Sequence, residues 1–295
     1  MKKTVFTGIA TALITPLDEN GINFDQFGKL IDWQIEEGIN GLVICGTTGE
    51  ASTLSDAEHR SAIAFAAERI GGRVPFIAGT GSNDTSYAIE LSKFACSCGA
   101  DALLTVTPYY NKATQNGLVK MFGTIADAVS SPLIIYNVPS RTGINVEPAT
   151  YEKLADHGNI AGIKEAGGNI SKIVDTMSRI GDKLDLYSGN DDQIVPLLAM
   201  GGKGCISVLS NILPKETCEI TRRFFAGDVA GSAALQCRYH RLIDALFCET
   251  NPIPVKAGMA AMGFCQNYLR LPLTTMESQN RDKLLSLMRE QGLQV

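Results

Sequence analysis

Residues 133–138, Leu-Ile-Ile-Tyr-Asn-Val, form a short and almost unbroken apolar run. Seven comparable runs occur along the chain at a mean spacing of roughly 28 residues. Together the eight runs occupy residues 5–14, 41–45, 74–78, 102–106, 133–138, 160–164, 184–187 and 204–208. Continuous hydrophobicity is typical of strands that are buried on both faces of a parallel sheet. The sequence therefore predicts eight buried parallel strands.

The segments between the apolar runs carry helix signals. Ser55-Asp56-Ala57-Glu58 has the pattern of a capping box, in which Ser55 accepts the Glu58 amide and Glu58 reaches back. Gly71 is placed to end that helix, and residues 24–37 and 83–97 are predicted to be helical in the same way. Eight strand–helix units fit an α/β protein of the (β/α)8 TIM-barrel class better than an open sheet.

The pattern changes after the eighth run. From about residue 214 onward the sequence is helical, with interruptions at Asn251-Pro252 and Leu271-Pro272. No low-complexity linker separates this part from the rest, so we expect it to pack on the barrel. The sequence predicts a catalytic (β/α)8 barrel over residues 1–225 and a small C-terminal helical domain over residues 226–295.

The composition excludes several classes of protein. Of 295 residues, 45% are hydrophobic and 19% are charged, which is a globular composition and excludes disorder as the dominant state. Lys and Arg number 26 and Asp and Glu number 31, giving a formal net charge of −5. This acidic balance argues against nucleic acid or an anionic membrane surface as the main partner.

Eight cysteines and three histidines show no metal-binding pattern. No CxxC pair occurs and the histidines are far apart, so we expect no catalytic metal. We interpret the cysteines as reduced packing residues of a cytoplasmic protein. No apolar run approaches the roughly 20 residues needed to span a bilayer, and the N-terminal apolar stretch is too short and broken for a convincing signal peptide.

Polar residues follow the apolar runs, where a TIM barrel forms its active site. The second run leads into Gly46-Thr47-Thr48-Gly49-Glu50, which could cradle a small carboxylate; alternatively, the threonines only cap the backbone turn. The fifth run leads into Tyr136 and Arg141. A tyrosine hydroxyl can transfer protons, and an arginine can bind a carboxylate. The alternatives are that Tyr136 is a packed aromatic ring and that Arg141 forms a surface ion pair.

Lys164 lies at the inner end of the sixth run. An ammonium ion is costly to bury, and burial favours the neutral amine, which can attack a carbonyl to form a Schiff base. The alternative is a structural ion pair with the adjacent Glu165. Successive side chains of a strand point to opposite faces, which weakens that alternative.

Glycine-rich segments do not predict a phosphate site. Residues 201–204 precede the eighth run, so they fall at the opposite face of the barrel, and they lack the spacing of a phosphate loop. Residues 79–81 have no third glycine at dinucleotide spacing. The sequence therefore favours a small carboxylate over a phosphorylated sugar as the substrate.

Four motifs resemble one family when they are taken together. They are GTTGE at 46–50, YNVPSRTG at 136–143, GIKE at 162–165 and NPIPVK at 251–256. In this order they resemble the pyruvate-dependent class I aldolase and N-acetylneuraminate lyase family, and within it the dihydrodipicolinate synthase branch. The resemblance covers nearly the whole chain, and four separated motifs are far more specific than any one of them.

The resemblance implies a reaction and its catalytic residues. Lys164 would condense with pyruvate, and the resulting enamine would attack L-aspartate 4-semialdehyde. Tyr136 would donate and accept protons. Thr47 and Tyr110 would complete a proton relay, in which the neighbouring subunit contributes Tyr110.

The resemblance also implies binding residues and partners. Thr48, the backbone around Ile206 and Gly189 would form the pyruvate site, and Arg141 would receive the semialdehyde carboxylate at the entrance. No cofactor and no metal would be required. The protein would be a cytoplasmic homotetramer, a dimer of dimers, in the diaminopimelate route of lysine biosynthesis.

Two other functions remain open at this stage. N-acetylneuraminate lyase shares the lysine and the tyrosine, but its relatives usually carry Ser-Thr in place of Thr47-Thr48 and lack an arginine that matches Arg141. The second alternative is a barrel that binds a keto acid without turning it over, which would have to explain an intact set of catalytic residues.

Lysine-inhibited relatives carry a further pocket at the dimer interface. The corresponding residues here are Ser52, Asp56, His59, Asn83, Tyr87 and Tyr109. Inhibited relatives often have a histidine and a glutamate where this chain has Asp56 and Tyr87. Tyr87 cannot supply the negative charge that pairs with the α-ammonium group of lysine. We therefore expect feedback inhibition by lysine to be weak or absent.

Overall fold

A computed structural model describes residues 3–295, and it contains a closed barrel of eight parallel strands. The strands are β1 (Gly8–Ala12), β2 (Gly41–Ile44), β3 (Phe76–Gly79), β4 (Ala102–Val106), β5 (Leu133–Asn137), β6 (Ile160–Glu165), β7 (Asp185–Ser188) and β8 (Gly204–Ser207). Each strand pairs with its sequence neighbours, and β8 pairs with β1 to close the ring. The predicted (β/α)8 barrel is confirmed.

One helix of six or more residues follows each strand, with an additional helical turn at Pro139–Thr142 after β5, and three more helices follow the barrel. The barrel helices are α1 (Phe24–Glu36), α2 (Asp56–Ile70), α3 (Thr85–Ser97), α4 (Gln115–Asp127), α5 (Pro148–Ala155), α6 (Ile170–Ile180), α7 (Ile194–Ala199) and α8 (Pro214–Phe225). The C-terminal helices are α9 (Val229–Leu246), α10 (Ile253–Ala261) and α11 (Ser278–Glu290). The division of the chain into two domains at residue 225 stays a prediction.

Local capping explains where the helices begin and end. Ser55 Oγ accepts the Glu58 amide while Glu58 accepts the Ser55 amide at 2.9 Å, so the predicted capping box is present. Gly71 ends α2 in the left-handed conformation, with φ of 54°. Asp84 caps α3 by accepting the Ser86 amide, so this helix begins two residues later than predicted.

Strand register places the reactive side chains next to one another. In parallel strands, residues in register point to the same face. Lys164 of β6 is in register with Tyr136 of β5 on one side and with Tyr187 of β7 on the other. Tyr136, Tyr187 and Ile206 belong to the apolar cluster that fills the inside of the barrel. The inward-facing Lys164 and Tyr136 therefore meet at the carboxyl ends of their strands.

The cysteines pack less uniformly than the sequence predicts. All eight are free thiols, but only Cys45, Cys205 and Cys265 are buried. Cys237 and Cys248 are exposed, so their interpretation as packing residues is wrong. Cys237 lies on α9, and Cys248 follows the end of that helix. Both thiols therefore lie on the surface of the C-terminal region.

Polar contacts join the C-terminal region to the loop after β2 and to α2. Lys256 of α10 forms an ion pair with Glu50, and its side chain is 0% exposed. Burial lowers the pKa of Lys256, an effect that the Glu50 carboxylate opposes. Arg270 donates to Glu58 of the capping box at 2.8 Å and, with Ser55, holds the pKa of that carboxyl at about 2. These contacts join the end of the chain to β2 and α2.

The described part of the chain, residues 3–295, contains no helix that is both long and apolar enough to cross a membrane.

We predict that Lys256→Met lowers the free energy of unfolding by about 3 kcal/mol, because Glu50 is left as an uncompensated buried charge. Adding Glu50→Gln should restore more than half of the loss, since no buried charge then remains. Urea unfolding followed by circular dichroism at fixed protein concentration measures both effects.

The matched control is Arg241→Met, which breaks an exposed ion pair with Glu290 in the same C-terminal region. It should change the stability little. A Lys256→Met variant as stable as this control would show that the buried pair contributes nothing.

Candidate active site

Lys164 is a buried amine without a carboxylate partner. Its side chain sits on β6 with 5% of the residue exposed. Its Nζ lies 4.2 Å from the centroid of the Tyr136 ring. Among residues 3–295, no carboxylate forms an ion pair with Lys164. An unpaired buried amine beside a tyrosine is suited to attack a carbonyl carbon.

Glu165 turns away from Lys164, as the alternation of strand side chains predicts. Its carboxylate accepts the Asn137 side-chain amide at 3.0 and 3.1 Å and the Gly167 backbone amide at 2.5 Å. Burial raises the pKa of the Glu165 carboxyl. Because Asn137 and Glu165 are in register, this contact ties the end of β5 to the end of β6, directly after Tyr136 and Lys164. A structural Lys164–Glu165 ion pair is not formed.

A cavity of about 460 Å³ opens beside these strand ends. Its wall contains seven of the predicted site residues, namely Thr47, Ser52, His59, Tyr87, Tyr109, Tyr136 and Arg141. The predicted site residues outside this wall are Thr48, Asp56, Asn83, Tyr110, Lys164, Gly189 and Ile206. Lys164 and Thr48 nevertheless adjoin it, since each is next to a wall residue.

The loop after β2 carries Thr47, which lines the cavity, and Thr48, which lies next to it in the chain. Within it, the Gly49 and Glu50 amides donate to the carbonyls of Gly46 and Thr47. Glu50 adopts a left-handed conformation, with φ of 56°. Thr48 is 2% exposed, and its Oγ1 accepts a hydrogen bond from Asn251 Nδ2 at 3.0 Å. The Thr48 hydroxyl therefore bonds to a side chain from the C-terminal region and does not cap its own turn.

Arg141 stands at the rim of the cavity, in the single helical turn Pro139–Thr142. Its Nη2 donates to the backbone carbonyl of Asn251 at 3.0 Å. Within residues 3–295 the guanidinium forms no ion pair, so the surface ion pair that the sequence left open is absent. The remaining N–H groups can bind a carboxylate bidentately.

Gly189, directly after β7, borders Lys164, and Ile206 lies on β8. A Cβ on Gly189 would lie 3.2 Å from Lys164 Cε and 2.8 Å from Ala166 Cβ, so only glycine leaves the lysine room to move. Ile206 is fully buried inside the barrel. The backbone that follows it is held by Asp191, which accepts the amides of Val208 and Leu209 at 2.9 Å.

Tyr110 does not reach the cavity of its own chain. It is 92% exposed and has a φ of 68°, in the left-handed region that residues other than glycine seldom adopt. Its neighbour Tyr109 is also exposed, but it lines the cavity. A side chain held away from its own site is compatible with the predicted role in a neighbouring subunit.

The residues predicted for a lysine pocket lie along the cavity and beside it. His59 Nε2 lies 2.9 Å from the Gly79 carbonyl, and burial lowers the pKa of His59. Asp56 accepts hydrogen bonds from the Tyr87 hydroxyl at 3.0 Å and from Arg60 at 2.9 Å. The Arg60 contact lowers the pKa of Asp56. The only carboxylate of the predicted set is therefore already paired.

Sequence reasoning missed the site contacts of Asn251 and Asp191. The sequence marked Asn251 only as part of a helix interruption and of the NPIPVK motif, although it bonds to Thr48 and to Arg141. A polar residue next to a proline is common, so no local signal separates Asn251 from an ordinary turn residue. Lys256 did carry a signal, since it is a lysine within an apolar helix, as Lys164 is a lysine within an apolar strand.

The chain is similar to proteins of known name over nearly its full length. The model of the dihydrodipicolinate synthetase family matches residues 5–291. The 4-hydroxy-tetrahydrodipicolinate synthase of Acetivibrio thermocellus is 51% identical, with 99% of this chain and 100% of that protein covered.

Solved structures agree with the sequence relatives. Dihydrodipicolinate synthase of Thermotoga maritima superposes with a TM-score of 0.96 at 39% identity, covering 98% of this chain and 100% of that one. The enzyme of Acinetobacter baumannii, solved in complex with pyruvate, gives a TM-score of 0.95 at 42% identity with the same coverage. On its fold, its site geometry and these similarities, the chain belongs to the dihydrodipicolinate synthetase family.

Proposed function

We propose that this chain is a 4-hydroxy-tetrahydrodipicolinate synthase. It is a lyase that condenses pyruvate with L-aspartate 4-semialdehyde in the diaminopimelate route of lysine biosynthesis. The observation that carries the proposal is the buried Lys164 amine, unpaired within residues 3–295 and 4.2 Å from the Tyr136 ring centroid. The relatives named for this activity support the same assignment.

The reaction begins at the Lys164 nitrogen. The neutral amine attacks the keto carbon of pyruvate, and loss of one water leaves an imine. A proton then leaves the methyl carbon, and the electron pair it leaves behind forms the enamine. Tyr136 carries these protons, and the hydroxyls of Thr47 and of Tyr110 from the neighbouring subunit relay them.

The carbon–carbon bond forms in the second half of the reaction. The enamine carbon attacks the aldehyde carbon, and the aldehyde oxygen takes a proton to become a hydroxyl. The amino group of the semialdehyde then attacks the imine carbon, which closes the ring and releases Lys164 as a free amine. The by-products are the water lost in the first step and the proton that the semialdehyde ammonium group gives up before its nitrogen attacks, so atoms and charges balance.

Two carboxylates have to be held in place during these steps. Thr48 and the backbone around Ile206 bind the pyruvate carboxylate, while Gly189 leaves space beside the imine. Arg141 receives the semialdehyde carboxylate at the cavity rim. The net charge of −5 provides no general attraction for anions, so these local donors have to supply it.

The active form is a homotetramer built from two dimers. Tyr110 supports at least a dimer, because its side chain is exposed and does not line the cavity of its own chain. Its hydroxyl can act in the relay only if a neighbouring copy receives it. We infer that the enzyme works in the cytoplasm, without cofactor or metal, and without a membrane or nucleic-acid partner.

Arg141 favours this activity over N-acetylneuraminate lyase. A short carboxylated aldehyde needs a cation at the rim, whereas a polyol sugar needs side chains that recognise hydroxyls. A barrel that binds keto acids without turnover is disfavoured as well, since Lys164, Tyr136 and Thr47 are all present around one site.

We predict that the purified chain forms product from pyruvate and L-aspartate 4-semialdehyde and releases no pyruvate from N-acetylneuraminate. Lys164→Arg should lower the rate by about 10³-fold or more, because a guanidinium cannot form the imine. A coupled assay with a reductase measures the first activity, and a pyruvate assay measures the second.

Lys183→Arg is the matched control, since Lys183 is an exposed lysine paired with Asp156. It should leave the rate unchanged. Cleavage of N-acetylneuraminate by the unaltered chain, or full activity in Lys164→Arg, would contradict the assignment.

We predict that L-lysine at about 1 mM changes the rate by less than about twofold. Asp56 is already paired with Arg60, and Tyr87 carries no charge, so the residues of the predicted pocket offer no unpaired carboxylate to the α-ammonium group. Initial rates with and without lysine measure this. Tyr87→Glu should increase the sensitivity, and micromolar inhibition of the unaltered chain would refute the prediction.

A further inference from the structure

Asn251 contacts both residues to which the proposed function assigns a substrate carboxylate. Its side-chain Nδ2 donates to Thr48 Oγ1 at 3.0 Å, and its backbone carbonyl accepts from Arg141 Nη2 at 3.0 Å. Asn251 is 5% exposed and lies immediately before α10. One residue of the C-terminal region therefore touches the pyruvate subsite with its side chain and the semialdehyde subsite with its backbone.

The contact with Asn251 determines what the Thr48 hydroxyl can do. A hydroxyl has one proton to donate and two lone pairs that accept. Nδ2 is only a donor, so it occupies a lone pair of Thr48 Oγ1 and leaves the hydroxyl proton free. Within residues 3–295, the Thr48 hydroxyl donates no hydrogen bond of its own. The proton is thus available for an acceptor that enters the site.

A buried ion pair holds together the two segments that carry Thr48 and Asn251. Glu50 lies two residues after Thr48, and Lys256 lies five residues after Asn251. Their buried ion pair fixes the loop against the C-terminal segment. Asn251 Oδ1 is buried, and no donor among the described residues bonds to it. The amide oxygen therefore does not compete for the Thr48 proton.

We propose that Asn251 is a positioning residue that directs the Thr48 hydroxyl proton toward the pyruvate carboxylate. This rests on the proposed function, because it specifies how Thr48 recognises its substrate. The amide acts through Thr48 and does not touch the reacting carbon atoms. Its side chain serves the pyruvate subsite alone, since Arg141 is bound by the backbone carbonyl, which every substitution retains.

The test compares Asn251→Ala with Asn251→Asp in steady-state assays that vary both substrates. Alanine removes the donor, and the KM for pyruvate should rise about tenfold, the size of one hydrogen bond. Aspartate is the closer match in shape, yet it should raise that KM about 100-fold. Its carboxylate accepts the Thr48 proton and places a negative charge beside the substrate carboxylate.

Two further readouts separate positioning from a general structural role. The KM for L-aspartate 4-semialdehyde should stay within about twofold in both variants, and kcat should fall by less than about threefold. Asn280→Ala is the control, since Asn280 of α11 donates to Glu249 in the same C-terminal region and does not bond to Thr48 or Arg141. It should leave both KM values unchanged.

The inference is overturned if both KM values rise together, or if Asn251→Asp binds pyruvate as well as Asn251→Ala does. The second result would place the amide oxygen, not Nδ2, against Thr48. The proposed function survives either result as long as the unaltered chain and Asn280→Ala form product. Loss of activity in the unaltered chain would instead contradict the proposed function itself.

Discussion

The buried ion pair between Glu50 and Lys256 is the constraint on which the rest of the site depends. It joins the loop after β2 to α10, and neither side chain has access to water. Breaking such a pair leaves a buried charge without compensation, so the two segments stay together. Thr48 lies two residues before Glu50, and Asn251 lies five residues before Lys256. Their side chains form a hydrogen bond. The C-terminal helices are therefore part of the catalytic barrel's site, not an appendage beside it.

The fold buries two lysines, Lys256 and Lys164, and their polar contacts differ. Lys256 has a carboxylate partner and also donates to the Tyr268 carbonyl at 2.9 Å. Lys164 has no such partner within residues 3–295, and Glu165 is engaged by Asn137 instead. Burial alone therefore does not identify a nucleophilic lysine. The presence of a carboxylate partner distinguishes the two lysines. A paired ammonium stabilises the structure, whereas an unpaired amine at a strand end is free to react.

Much of this could be predicted from the sequence, because the informative patterns are local. Eight continuous apolar runs predicted the barrel, and the Ser55–Glu58 spacing predicted a capping box that is present. Strand alternation correctly separated Lys164 from Glu165. The contact of Asn251 with Thr48 could not be predicted in this way, since it spans 203 residues and depends on how the last helices pack. Cys237 and Cys248 were misjudged for a related reason, because composition does not show which helix faces stay uncovered.

Of the two buried lysines, we expect Lys164, and not Lys256, to be the amine that captures pyruvate. Treating the protein with pyruvate and borohydride reduces any imine to a stable adduct, which peptide mass analysis assigns to one lysine. We predict a single adduct, on the peptide that contains Lys164, and none on the peptide that contains Lys256. An adduct on Lys256, or no adduct at all, would contradict it.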